Sequence, residues 1–325
     1  MDAYVVRSKR KREGEEVRKG GGEGEAAEEQ KQKEKVSPTR TPRMTETFTI
    51  TFGDQAENHA GMQKLGEKAT EGFSLEDLQK AKAWFEERGV KVELHHLNEA
   101  LPSPGDEEEG PVKKLKEENG EKKDKQKKPR SATPPAQDAY VLVARGGLEA
   151  IVDDVNAFHA EQAALQKDTR ALMYGRVVEK RARHNLCFAD HSQSADYANG
   201  KGTVVAFDDL PLLKRVRGAL PEILGPKAAD LLAEGNYYFD ITKCGIGFHG
   251  DAERCKVVAV RTGAAIPLHY QWFLDCKPVG ERVKLILEHG DVYVMSEKAV
   301  GTDFKCRRFY TLRHAAGAKK FLTIK

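Results

Sequence analysis

His249 and Asp251, one glycine apart in Gly245-Ile246-Gly247-Phe248-His249-Gly250-Asp251, are the residues of this chain best suited by type and spacing to chemistry. Side chains of an extended backbone repeat with period two, so an imidazole and a carboxylate two apart project to one side. A histidine from a distant strand would complete two nitrogens and one carboxylate around a divalent ion, leaving other coordination positions open. Non-haem Fe(II) oxygenases use such a set to bind a co-substrate and dioxygen. Two spaced residues also recur by chance, and a strand His beside an Asp is more often an ordinary hydrogen-bonded pair. The reading therefore turns on the third ligand and on what surrounds the pair.

Downstream the histidines are His269, His289 and His314. His269 lies in an aromatic run, Tyr270 to Phe273, and reads as a packed residue. His289 sits in Glu288-His289-Gly290-Asp291, where it is expected to pin a tight turn. His314 follows Thr311-Leu312-Arg313 late in the strand-rich region and is the expected distal ligand.

Short β-branched or aromatic runs dominate from Val204 onward: Val204 to Phe207, Tyr237 to Ile241, Val257 to Arg261, His269 to Phe273, Val283 to Leu287, Val292 to Met295 and Phe321 to Ile324. Gly and Pro turns separate several of them, which predicts a double-sheet or barrel-like β core. One helix, about Lys214 to Glu234, is expected among them, and Leu148 to Lys167 carries apolar residues suited to a helix packed on a sheet.

Upstream, Thr47 to Phe52 alternates as a half-buried strand. Ser74-Leu75-Glu76-Asp77 opens a helix that Gly89 stops, and Val90 to Leu97 and Ala139 to Ala144 read as strands. These predict a small α/β unit at 44–101 plus 138–150, with no catalytic motif. Glu57-Asn58-His59 within it reads as a polar stretch with a lone exposed histidine. The tail at 1–43 lacks Phe and Trp and is dense in charge and Gly, so disorder is expected there and in the charged insert at 102–137. The remaining 151–325 would hold the β core.

The formal net charge of +3 gives no strong overall field, although Ser8-Lys9-Arg10-Lys11-Arg12 resembles a nuclear import signal. Five cysteines without a CxxC pair indicate neither a disulfide framework nor a zinc ribbon. With no run of the roughly 20 apolar residues a membrane span needs, and no signal-peptide core, a soluble intracellular protein without a membrane partner is expected. A monomer is the expected state.

Four features, taken in order, resemble the AlkB-like family of 2-oxoglutarate- and Fe(II)-dependent dioxygenases. Asn236-Tyr237-Tyr238 is similar to the family's N-x-Y pair, which hydrogen-bonds 2-oxoglutarate. His249-Gly250-Asp251 followed by Glu253 is similar to its metal motif and the acidic position after it. Glu288 to Val294 resembles the HGD strand before the distal histidine, and Lys319 to Lys325 resembles the terminal R-x-N-L-T-F-R strand.

The resemblance implies an α+β fold built on a double-stranded β-helix, or jelly-roll, with flanking helices. It implies Fe(II) held by His249, Asp251 and His314, with Asp303 as the alternative distal ligand, and 2-oxoglutarate and dioxygen as co-substrates. Asn236 and Tyr238 would bind 2-oxoglutarate. Lys319 and Lys325 stand where the family has arginines and would neutralise its remote carboxylate as point charges. The implied activity is hydroxylation of N-methyl groups in alkylated DNA or RNA, a repair-type demethylation releasing formaldehyde. A 2-oxoglutarate oxygenase acting on protein or a small molecule, and a non-catalytic nucleic-acid-binding module, remain alternatives.

In the family, loops N-terminal to the β core cover the nucleobase. Here that region carries Arg176 to Asn185 and Asp190 to Tyr197, which nominates Arg183, His184, Asn185 and Tyr197 as substrate contacts, with Glu253 added from the acidic position after the metal motif. Basic side chains beside aromatic and amide groups suit phosphate contact with base stacking. Lys214, Arg215, Arg217, Arg307 and Arg308 would extend the footprint, against the plainer reading that they are solvated surface cations.

Overall fold

The computed structural model describes residues 44–102 and 134–324. The expectations placed on 1–43, including Lys9 to Arg12, on 103–133 and on Lys325 lie outside the described residues. In chain order the elements are β1 (Thr47–Gly53), β2 (Gln55–Glu57), β3 (Lys64–Gly66), α1 (Leu75–Glu86), β4 (Val92–His96), β5 (Tyr140–Ala144), α2 (Glu149–Val152) and α3 (Val155–Ala164). They continue with β6 (Arg170–Met173), β7 (Arg176–Glu179), β8 (His184–Ala189), β9 (Val204–Ala206), α4 (Pro211–Leu224), β10 (Leu232–Tyr238), β11 (Gly245–His249) and β12 (Val257–Gly263). The last are β13 (Ile266–Leu274), β14 (Lys277–Leu287), β15 (Val292–Met295), α5 (Glu297–Val300) and β16 (Thr311–Gly317).

The result is an α+β fold dominated by antiparallel sheets. Eight strands form a large sheet in the order β4-β5-β15-β12-β1-β10-β8-β9, and four form a smaller one, β11-β16-β13-β14. Only β8 and β9 among the registered pairs run parallel. From β10 to β16 the chain passes repeatedly between the sheets, which brings β11, with His249 at its end and Asp251 just beyond it, opposite the large sheet.

Period-two alternation assigns each face of the large sheet its own environment. On β12, Val258 and Val260 join Ile50 and Phe52 of β1 and Val292 and Val294 of β15 in an apolar layer covered by α1, α2 and α4. Val257 and Ala259 point the other way, meeting Leu268, Tyr270 and Trp272 of β13 and Leu312 of β16 between the two sheets. Helix α4 buries Leu213, Val216, Leu220 and Ile223 at helical spacing. At the start of α1, Ser74 caps the helix reciprocally with Asp77.

Several expectations are corrected. Residues 44–101 and 138–150 do not stand apart from the β core, because β1 lies in the middle of the large sheet, paired with β10 on one side and β12 on the other. The helix expected over 148–167 is two helices, broken where Asp153 takes φ +64 and Asp154 caps α3 through Ala157 N. Helix α4 ends at Leu224, where Gly225 at φ +85 precedes Pro226, so Leu232 to Glu234 belongs to β10. No strand forms over Phe321 to Ile324. A 3-10 turn, Lys319–Phe321, occupies that region, and the sheet position between β10 and β12 is already filled by β1.

Candidate metal centre and its cavity

Strands β11 and β16 place the two imidazoles together, with His249 opposite His314 in the register and His314 opposite Tyr270 on its other side. A bulge between Ile246 and His249 bends β11 where the motif begins. Gly250 is required by packing, since a Cβ there would lie 2.0 Å from Gly301 O. The connection from α5 to β16 therefore presses directly on the motif. Asp251 N donates to Val300 O at 3.0 Å and holds it in place.

His249, Asp251 and His314 offer ligand atoms that all lie within 4.8 Å of one another. His249 Nε2 stands 3.4 Å from Asp251 Oδ1, and His314 Nε2 stands 3.5 Å from the same oxygen. Those separations are long for hydrogen bonds. They match adjacent ligands that each sit about 2.1 Å from a shared ion. Tautomer chemistry agrees. His249 Nδ1 lies 2.8 Å from Gly247 O and 3.0 Å from His314 O, both of which only accept, so the proton belongs on Nδ1 and the lone pair on Nε2. Nδ1 of His314, a buried residue, has no hydrogen-bond partner among the described residues.

Electrostatics favour the ligating protonation states. Burial alone would raise the Asp251 carboxyl, but the Arg254 guanidinium and the two imidazoles hold it well below the usual carboxylate range. Burial, then the neighbouring His249, pushes His314 down, which keeps that imidazole neutral. Arg254 lies 3.4 Å from Asp251 through Nε and donates from Nη2 to Glu234 at 2.6 Å and Glu253 at 2.7 Å. From Glu234 the polar chain continues: Asn236 Nδ2 and Asn185 Nδ2 donate to its Oε1, and Arg183 Nε donates to Asn236 Oδ1.

The centre opens into a cavity of about 530 Å³ between the two sheets. One wall comes from alternate residues of three neighbouring strands: Thr49 and Thr51 of β1, Glu234, Asn236 and Tyr238 of β10, and Arg261 of β12. Thr49 pairs in register with both Asn236 and Arg261, so one polar row crosses the sheet. Arg261 is 1% exposed, and among the described residues its Nε and Nη1 have no partner; neither has the Oγ1 of Thr49 beside it. Among the described residues no carboxylate pairs with Arg261. A buried, unpaired guanidinium is costly, and a bound anion presenting two oxygens would satisfy it.

The structure distributes the expected site residues unevenly. His249, Asp251, His314, Asn236, Tyr238, Arg183 and Glu253 all line this cavity. Asp303, the alternative ligand, is engaged by Lys298 at 2.6 Å instead. Lys319 is exposed on the terminal turn and does not line the cavity. Asn185 is buried within the polar chain. His184 and Tyr197 face a second groove, where Tyr197 donates to Asp168 at 2.8 Å and Arg170 lies over the tyrosine ring. His289 accepts from Gly263 N at 2.9 Å, while the Glu288–Asp291 turn is pinned by the Asp291 carboxylate.

Sequence reading missed Arg261 and the Glu57–His59 loop. Glu57 and His59 line the cavity, and Asn58 is buried against Lys180 and Asp168. No local signal marked Arg261: every position of β12 is buried, and only the opposing sheet shows that its charge turns inward. Lys214, Arg215 and Arg217 pair with Asp208, Asp153 and Asp190, which answers their nomination as substrate cations. No described helix is long and apolar enough to cross a membrane.

No family model matches the sequence. A curated viral protein does: uncharacterized protein R156 of Acanthamoeba polyphaga mimivirus is 44% identical over 277 residues, covering 85% of this chain and 98% of the viral protein. The chain belongs to the family of R156. Because the match spans nearly the whole viral protein, the R156 family shares most of the chain's length rather than one excised motif.

Proposed function

We propose that this R156-family chain is an Fe(II)- and 2-oxoglutarate-dependent dioxygenase of the AlkB-like kind that oxidises N-methyl groups on nucleic-acid bases. One observation carries the reading: His249, Asp251 and His314 converge on a cavity whose opposite wall holds a buried, unpaired guanidinium. The two sheets fit a double-stranded β-helix, since strands from β10 onward pass between them and β1 supplies the strand between β10 and β12.

Bound Fe(II) would use dioxygen to couple oxidative decarboxylation of 2-oxoglutarate to hydroxylation of a C–H bond, one oxygen atom going to succinate and one to the product, and a hydroxylated N-methyl group releases formaldehyde. The protein's own residues bind and orient. His249 Nε2, Asp251 and His314 would hold the ion. Arg254 keeps Asp251 ionised and aimed. Arg261 and Thr49, rather than Lys319, take the remote carboxylate of the co-substrate, with Asn236 and Tyr238 beside them. Glu253, Arg183 and the Glu57–His59 loop face the remaining volume, where a base would enter.

The test is succinate formation from 2-oxoglutarate with Fe(II), stimulated by methylated oligonucleotides and abolished in His249→Ala. Formation of succinate that survives His249→Ala would refute the metal assignment. Stimulation by methylated peptides but not by oligonucleotides would move the substrate to protein.

A further inference from the structure

His59 lines the cavity without belonging to the ligand triad, and the loop that carries it is pinned on both sides. Asn58 is buried: its Nδ2 donates to Asp168 at 2.7 Å and its Oδ1 accepts from Lys180 Nζ at 2.6 Å. Glu57 Oε1 accepts from Gly61 N at 2.7 Å, and Met62 N donates to His59 O at 2.9 Å, which closes a turn around the imidazole. A Cβ on Gly202 would lie 2.6 Å from Asn58 Cγ, so a second loop presses on the anchor. Read from sequence as exposed, His59 is half-buried, held by its fixed neighbours against the cavity.

The ring's hydrogen bond runs from Nδ1 to Ala60 O at 3.2 Å. A carbonyl only accepts, so in the neutral ring the proton sits on Nδ1 and the lone pair on Nε2. Burial lowers the pKa of this imidazole, and the charges of Lys180 and Arg183 add to the effect against the opposing pull of Ala60 O and Glu234. The free base therefore prevails at neutral pH. Other bases around the cavity are committed elsewhere: His249 and His314 to the metal, Glu234 and Glu253 to Arg254, and Glu57 to Gly61 N.

Hydroxylation of an N-methyl group leaves a hemiaminal, N–CH2–OH. As it breaks down the O–H proton leaves, a C=O bond forms, the C–N bond breaks with its electron pair going to nitrogen, and nitrogen takes up a proton; nothing is oxidised or reduced. An exocyclic amine is a poor leaving group until protonated, so the step calls for a group that accepts a proton from oxygen and delivers it to nitrogen. We propose that His59 Nε2 is that group, a catalytic base and acid that breaks the hydroxymethyl intermediate on the exocyclic amine of a nucleobase and releases formaldehyde within the cavity. The inference rests on the demethylase reading of that cavity, but this step needs neither metal nor dioxygen.

The experiment gives metal-free, full-length protein a single-stranded oligonucleotide whose adenine amino groups carry hydroxymethyl groups, made with formaldehyde and freed of the excess, and times formaldehyde release. Wild type should release it faster than buffer alone. His59→Gln should slow that release about 100-fold, the lower end of what a positioned acid–base group contributes. Imidazole added to His59→Gly should restore release beyond what imidazole does to the oligonucleotide alone, a rescue that a merely structural histidine would not show. Release no faster than in buffer, His59→Gln as fast as wild type, or no rescue of His59→Gly overturns the proposal. Acceleration that depends on His59, with no succinate from wild type given Fe(II) and 2-oxoglutarate, would reject the oxygenase reading and leave the base standing. Succinate stimulated by methylated oligonucleotides, without accelerated release, would do the reverse.

Discussion

The two faces of the large sheet are built from the same strands and do opposite work. Toward the helices, β1 and β12 contribute Ile50, Phe52, Val258 and Val260, all essentially inaccessible to solvent. Toward the small sheet the alternate positions of the same strands carry Thr49, Thr51 and Arg261 around the cavity, beside Val257 and Ala259, which pack against the small sheet. One face removes apolar area from water and stabilises the fold. The other buries polar groups, two of them without partners, and keeps a cavity open between sheets. The pleat lets one sequence meet both demands because neighbouring residues never share a face.

If the division is real, substitutions on the two faces should fail in different assays. Phe52→Ala, on the helix side, should lower stability by about 3–5 kcal/mol, the cost of a large cavity in a packed core. Urea unfolding would show it, while divalent-metal affinity of the still-folded protein should stay at the wild-type value. His249→Ala should do the opposite. Calorimetry with Mn(II) is expected to show binding weakened about 100-fold or more, roughly 2.7 kcal/mol. Its urea midpoint should move far less than that of Phe52→Ala, since the His249 side chain is 28% exposed while Phe52 is wholly buried. A large stability loss in His249→Ala would break the comparison.

Arg261→Met tests the polar face more sharply. Replacing a buried, unpaired guanidinium with an apolar side chain of similar length should leave the ligand-free protein as stable or more so, by about 1 kcal/mol. The same change should weaken 2-oxoglutarate binding about 30-fold, near 2 kcal/mol, because the carboxylate loses a charge-assisted fork. Protection against thermal unfolding by 2-oxoglutarate, compared with a monocarboxylic 2-oxo acid, separates the two effects. Equal protection of wild type and variant would show that Arg261 faces no ligand carboxylate.

What the sequence revealed follows the same division. His249 and Asp251 were legible because period two is a local rule, and His314 because it lies in a strand-rich stretch. Arg261 was not. A charged residue closing a β-branched run reads as the strand's exit to solvent, and only the second sheet overhead shows that it turns inward. The position of β1 was hidden for a different reason. Its partners lie far along the chain, as in the bond from Thr47 Oγ1 to Thr262 O across 215 residues, and pairing over such distances leaves no periodic trace. The terminal Lys319–Ile324 segment resembled a strand in sequence but opens with a 3-10 turn, Lys319–Phe321, and pairs with neither sheet.

The polar side of the sheet is not functional throughout, and acid should reveal where it merely stabilises. On β4, at the sheet's edge, Arg145 and then Lys91 hold the Glu93 carboxyl down to about 2; Arg145 Nη2 donates to it at 2.7 Å and Nη1 to Asp291 at 2.9 Å. A carboxyl depressed in the folded state stabilises fully above its unfolded value near 4.5, and that contribution fades as pH falls from there toward 2. The Glu93 side chain is 24% exposed, so after discounting for solvent screening the effect should be about 1 kcal/mol. Urea unfolding at pH 6, 4 and 3 should show a slope that Glu93→Gln flattens, while metal affinity at pH 7 is the same in both proteins. If Glu93→Gln instead weakened metal binding, the edge and the cavity would be energetically coupled, and the sheet's polar side would have to be treated as one site.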